Sequence, residues 1–116
     1  MTLVVDGANV VGSVPDGWWR DRAGAARRLR DRLAAGVAGF EGAEVVLVVE
    51  GAAVGIGSVD GVRVVGAPGS GDDAVVDEVR DGTDCVVVTA DRGLAARVRA
   101  LGARVVGPSA VRRTGP

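Results

Sequence analysis

The chain has no histidine, no lysine and no tyrosine, a single cysteine and a single phenylalanine. Each absence closes a route. Without an imidazole there is no histidine base and no Ser-His triad, and without a lysine amine there is neither a P-loop lysine nor a Schiff base. Cys85 on its own can form no intrachain disulfide and no thiolate zinc cluster, and its place in an apolar run marks it as core. Chemistry here must run on carboxylates, hydroxyls, guanidinium groups and metal-bound water. No apolar run approaches the ~20 residues that span a bilayer, and no charged-then-apolar leader precedes Thr2. A membrane is therefore not an expected partner, and the cytoplasm is the expected location.

Aromatic residues make up 3% of the 116 positions, so the core must be built from Val, Ala and Leu, the residues that buried parallel strands use. With 47% apolar and 25% charged residues the chain can bury one core without staples. The net charge of −1 excludes whole-molecule attraction to nucleic acid and leaves only a local basic patch. All basic residues are arginine, which we read as compositional bias.

Short apolar runs alternate with helical patterns. Strands are predicted at Thr2 to Asp6, Glu44 to Glu50, Val62 to Val65, Asp84 to Thr89 and Ala103 to Val106. Helices are predicted from Trp18 to about Ala38, Gly71 to Arg80 and Arg92 to about Leu101. This is the βαβ pattern of a parallel sheet with right-handed crossovers, an α/β class with one domain over residues 1–106. Gly107 to Pro116 reads as a flexible tail. In the first helix Trp19, Ala23, Ala26, Leu29, Leu33 and Val37 form one apolar stripe, with Asp16 as N-cap and Trp18 at a margin where it could stack on a base. Its other faces carry Arg20, Arg22, Arg27, Arg28, Arg30 and Arg32 against Asp21 and Asp31. An ordinary solvated face is the simpler reading, although such a face could follow a phosphate backbone.

The acids carry the chemistry. Asp6 ends the first strand, Asp91 follows the Val86-Val87-Val88-Thr89-Ala90 run, and Asp72-Asp73 opens a helix after Gly69-Ser70-Gly71. In a parallel sheet the carboxyl ends of strands share one edge, so acids remote in sequence can converge there, and a hard divalent cation is the usual remedy for their repulsion. The Gly69 to Ala74 segment also satisfies the G-x-G-x-x-A dinucleotide pattern. Two aspartates in the first helical turn oppose a docking pyrophosphate, and the segment follows the third strand rather than the first. A haloacid-type phosphatase would need a second acid where Ala8 stands.

Val-Asp-Gly-Ala-Asn-Val near the start, Gly-Asp-Asp-Ala in mid-chain and Val-Thr-Ala-Asp-Arg-Gly-Leu late in the chain, in that order, resemble the NYN domain. This is a branch of the PIN-like ribonuclease superfamily, and the likeness is to its bacterial YacP-like members. The resemblance spans about Leu3 to Val106. It implies a three-layer α/β/α domain with a five-stranded sheet of order 3-2-1-4-5. It further implies a metal-dependent ribonuclease in which Mg²⁺ or Mn²⁺ activates water. Position by position, Asp6, Asp72, Asp73 and Asp91 match the catalytic acids. Asp6, Asp73 and Asp91 are expected at the metal, and Asn9, Thr89 and Arg92 are expected to touch substrate. Glu50, ending the second strand, could assist. The short Gly51 to Gly61 connection departs from longer members and suggests a shallow groove. RNA is the implied partner, with a homodimer left open. Two rivals remain: an RNA or ribosome adaptor that keeps the fold without cutting, and a nucleotide sensor using the Gly69 to Ala74 turn.

Overall fold

A computed structural model describes residues 1–112. Its elements follow the chain as β1 (Thr2–Asp6), α1 (Gly7–Gly12), α2 (Arg22–Ala34), β2 (Glu44–Val49), β3 (Val62–Gly66), α3 (Gly71–Asp81), β4 (Cys85–Val88), α4 (Arg92–Ala100), β5 (Arg104–Val106) and α5 (Ser109–Arg112). The strands form one parallel sheet in the order β3-β2-β1-β4-β5, as the motifs implied.

Alternation along the strands divides the core in two. Leu3, Val5, Leu47, Val86 and Val88 face the layer holding Ala26, Leu29 and Leu33 of α2. Val4, Val46, Val48 and Val87 face Val75, Val76 and Val79 of α3 and Leu94 and Val98 of α4. Successive strand residues point to opposite faces, so β1, β2 and β4, buried on both sides, read as unbroken Val and Leu runs. The Cα radius of gyration, 12.7 Å, matches the ~13 Å of a 100-residue domain.

Three elements differ from the sequence expectation. The first long helix starts at Arg22 rather than Trp18, because Asp21, at φ −151° and ψ 78°, is not helical and sets Trp18–Arg20 apart as a separate 3₁₀ turn. The cap is Asp21, not Asp16: its carboxylate accepts the Gly24 N–H at 2.9 Å. Ala26, Leu29, Leu33 and Val37 of the expected stripe are buried, joined by Ala25, while Ala23 is half-buried, Trp19 is 54% exposed and Trp18 half-buried. Trp18 thus stands at a margin as expected, and Trp19 alone leaves the core. Helix α1 went unseen because six residues bounded by glycines are too short to display a period.

The third difference is at the end of the chain. Where a flexible tail was expected from Gly107, Ser109–Arg112 form a helical turn whose Val111 is 2% exposed in the α2-side core. The remainder of that expectation, residues 113–116, lies outside the described residues. Val111→Ala should lower stability by about 1 to 2 kcal/mol in denaturant unfolding, less than a Leu→Ala truncation because fewer methyl groups are lost. An unchanged midpoint would mean that α5 adds nothing to the core.

Candidate active site

The alternation that builds the core also builds the site. Asp6 lies two residues beyond Val4, Glu50 two beyond Val48 and Thr89 two beyond Val87, all on the α3 and α4 side of the sheet. The register sets Asp6 opposite Val48, and Val5 opposite Val88, so these polar side chains succeed the core at the carboxyl ends of three adjacent strands. The β1–β4 boundary is where the chain's winding reverses, the usual crevice of an open parallel sheet.

Asp6 is 6% exposed and braced on two sides. The Thr89 hydroxyl donates to its Oδ2 at 2.9 Å, and the Asn9 backbone N–H also donates to it. Thr89 Oγ1 in turn accepts the Asp91 N–H at 3.1 Å, so one hydroxyl ties Asp6 to Asp91. Asp91 caps α4, its Oδ1 accepting from the Leu94 N–H at 3.0 Å. Asn9 Oδ1 accepts the Ala90 N–H at 2.8 Å, which fastens α1 to the loop after β4 and leaves the Asn9 amide nitrogen without a partner among the described residues.

From β2, Glu50 Oε2 accepts the N–H of Gly71 at the start of α3. A Cβ at Gly71 would stand 2.7 Å from that carboxylate oxygen, so a larger residue there would displace the Glu50 carboxylate. The Asp72 N–H is held by Ser70 Oγ at 3.2 Å. The glycine-rich turn thus spends its first two helical N–H groups on the side chains of Glu50 and Ser70, which removes the donors a dinucleotide pyrophosphate would need.

Electrostatics identify the acids that share this space. Burial pushes the Asp6 carboxyl above the usual range; the hydrogen bonds from Thr89 and Asn9 oppose the rise, and the charges of Asp72 and Glu50 add to it. Asp72 is raised as well, first by desolvation, then by repulsion from Asp91 and Glu50, with Arg97 opposing and Asp73 adding. Among the described residues Asp6, Glu50, Asp72 and Asp91 have no arginine within 4.0 Å, unlike Asp73, whose carboxylate pairs with Arg97 at 2.9 Å. Asp73 was expected at the metal. Instead its side chain is 72% exposed and turned toward α4, while Asp72, about 100° around the helix, meets the other acids.

The set is oxygen-only, as a hard divalent cation prefers. No three acidic or cysteine side chains among the described residues stand close enough to share one ion. Arg92, exposed, lines a cavity of about 460 Å³ with Thr89, Asp91 and Arg99. Glu50 was underrated by strand-end reasoning; the alternation Val46, Val48, Glu50 was the signal that places it with Asp6. Arg97 gave no local signal, since its partner is 24 residues away.

Fold and site together define a class: a doubly wound parallel α/β domain with an unpaired acidic centre at its topological switch point. Among solved structures the chain is similar in fold to Rae1 (YacP) from Bacillus subtilis, with a TM-score of 0.76, 20% identity and coverage of 97% of this chain and 72% of that one. A single-substitution variant of the same protein superposes at a TM-score of 0.79, again with 20% identity, covering 97% of this chain and 74% of the other. No protein-family model and no curated protein sequence matches the chain. Among the described residues no helix is long and apolar enough to cross a membrane.

Proposed function

We propose that the chain is a ribonuclease that hydrolyses phosphodiester bonds with Mg²⁺ or Mn²⁺ held by its acidic centre. The observation that carries this reading is that Asp6, Glu50, Asp72 and Asp91 lie at one sheet edge with no arginine within 4.0 Å of any of them among the described residues. Unneutralised carboxylates at such spacing destabilise a fold that gains nothing from them, and a divalent cation removes the cost. Magnesium keeps several of its waters and takes only one or two carboxylates directly, so an acidic centre in which no three side chains converge on one point suits it. Support for RNA as substrate comes from the three motifs and from the likeness in fold to Rae1 (YacP).

Asp6 and Asp91, coupled through Thr89, would hold the ion, with Asp72, in place of the expected Asp73, reaching it through one of the ion's waters. The bound ion would supply a water of lowered pKa and neutralise charge on the phosphoryl group. The protein's own groups do the remaining work. The Thr89 hydroxyl fixes the Asp6 carboxylate, the Asn9 carbonyl oxygen is locked so that its amide NH₂ can donate to a phosphate oxygen, and Arg92 offers a guanidinium to the neighbouring phosphate. Among the described residues Glu50 Oε1 has no partner, and it can accept a proton or orient water.

A second reading, a binding module that retains the fold and does not cut, is favoured by the lack of any three-residue metal cage among the described residues. Cleavage of a fluorescently labelled RNA oligonucleotide in manganese separates the two. Asp72→Asn should reduce kcat by about 10- to 100-fold, the range found when a residue supporting a metal centre is removed. Asp73→Asn should stay within about threefold, because it loses only an exposed ion pair worth ~0.2 to 1 kcal/mol. The reverse ranking would place the centre on the wrong acid, and no cleavage by the parent protein would favour the binding module.

A further inference from the structure

Beside the acids a second feature has no role in hydrolysis. Between the start of α1 and α2 runs a slot of about 450 Å³, mostly apolar, lined by Ala8, Trp18, Arg22, Ala26, Val49 and Glu50. Its size falls within the range of small-ligand pockets, ~300 to 1,000 Å³. Glu50 lines it and belongs equally to the acidic centre, so the slot and the centre adjoin at this residue. The Arg22 guanidinium lies over the Trp18 ring at 5.4 Å, and the Trp19 ring meets Trp18 edge-on with centroids 6.0 Å apart. Trp18 is therefore fixed on two sides by its neighbours. A large aromatic held half-exposed in a recess, when the α2-side core is packed with aliphatic residues, contributes more contact surface to a ligand than to the fold.

We infer that this slot receives an unstacked nucleobase of the strand whose phosphodiester lies at the acidic centre. The inference rests on the ribonuclease reading for the identity of its occupant. A planar heterocycle matches the chemistry: apolar walls from Ala8, Ala26 and Val49 cover its faces, Trp18 supplies an aromatic surface, and Arg22 supplies a guanidinium plane that stacks on any base. A phosphate alone does not match, because Glu50 in the lining repels it and the walls are apolar. A duplex cannot supply the base without unpairing it, so unpaired RNA is preferred and Trp18 sets where the strand lies relative to the cleaved bond.

The test uses the full chain carrying Trp19→Phe, which leaves Trp18 as the sole indole, in buffer with EDTA. Its fluorescence is titrated with a 2′-O-methylated pentanucleotide, with the same sequence as a duplex, and with inorganic phosphate. The single strand should quench Trp18, the duplex should bind about tenfold more weakly, and inorganic phosphate should leave the emission unchanged. Ala8→Leu, an exposed position at the slot, should weaken binding about tenfold and raise KM for cleavage similarly with kcat kept, without depending on whether a Trp18→Ala variant folds. Absent quenching, equal affinity for the duplex, or an Ala8→Leu protein that binds and cuts like the parent would overturn the inference while leaving the nuclease in place. Quenching by a parent protein that never cuts under manganese would keep the slot and overturn the ribonuclease reading.

Discussion

Asp6→Asn should produce a protein that melts higher than the parent in metal-free buffer at neutral pH and no longer cuts RNA. Both halves come from one carboxylate. Asp6 is 6% exposed with negative neighbours, so the folded state holds its proton more tightly than the unfolded chain does. Because the folded state then binds more protons, stability falls as pH rises from the ordinary carboxylate value of 3.8 through the raised folded value, above which the full cost is present. Asparagine removes that cost and still accepts the Thr89 hydroxyl, so Tm should rise by a few degrees and its fall with rising pH above 3.8 should flatten. Cleavage in manganese should drop on the order of 10²- to 10³-fold, the loss seen when a principal electrostatic group leaves an active site. A variant that melts lower and loses activity in proportion would make Asp6 a structural acid. A variant that cuts normally would move the chemistry elsewhere.

Much of this architecture was legible because its signals are local and repeated. Five apolar runs with helical patterns between them suffice for a parallel sheet, and acids at the ends of β1 and after β4 suffice to place a site at its carboxyl edge. The order of the strands came from the motifs, since pairing leaves no trace in a run of valines that is buried on both faces. What escaped depends on contacts distant in the chain or on single dihedral angles. Asp21 at φ −151° and ψ 78° separates the Trp18–Arg20 turn from the helix that starts at Arg22, and that break leaves Trp19 out of the core. Asp72 and Asp73 are equivalent as adjacent first-turn acids until Arg97, on the next helix, pairs with one of them. Val111 in the terminal segment reads as tail composition until the layer it covers is known.

Gly7→Ala should be among the most damaging single changes in the chain, and it bears on both fold and site. Gly7 follows Asp6 directly and opens α1, and a Cβ there would stand 2.5 Å from the Val48 carbonyl oxygen and 3.2 Å from Leu47 Cδ1. The nearer atom is backbone of β2 and cannot rotate away, so α1 must lift from the sheet. Alanine in a helix contributes roughly 0.5 to 1 kcal/mol relative to glycine, which is smaller than the ~1 to 3 kcal/mol or more that overpacking costs. The clash wins, and Tm should fall by about 10 °C. Lifting α1 also drags Asn9 away from the Ala90 N–H and its own N–H away from Asp6, so cleavage should weaken further than the folded fraction alone dictates. Gly12→Ala is the matched control at the other end of the same helix, where a Cβ meets nothing nearer than Trp18 at 3.8 Å. It should hold or raise Tm slightly, because only the unfolded chain loses freedom. Equal behaviour of the two variants would show that the contact between α1 and β2 is looser than its geometry indicates, and that Asp6 is positioned without it.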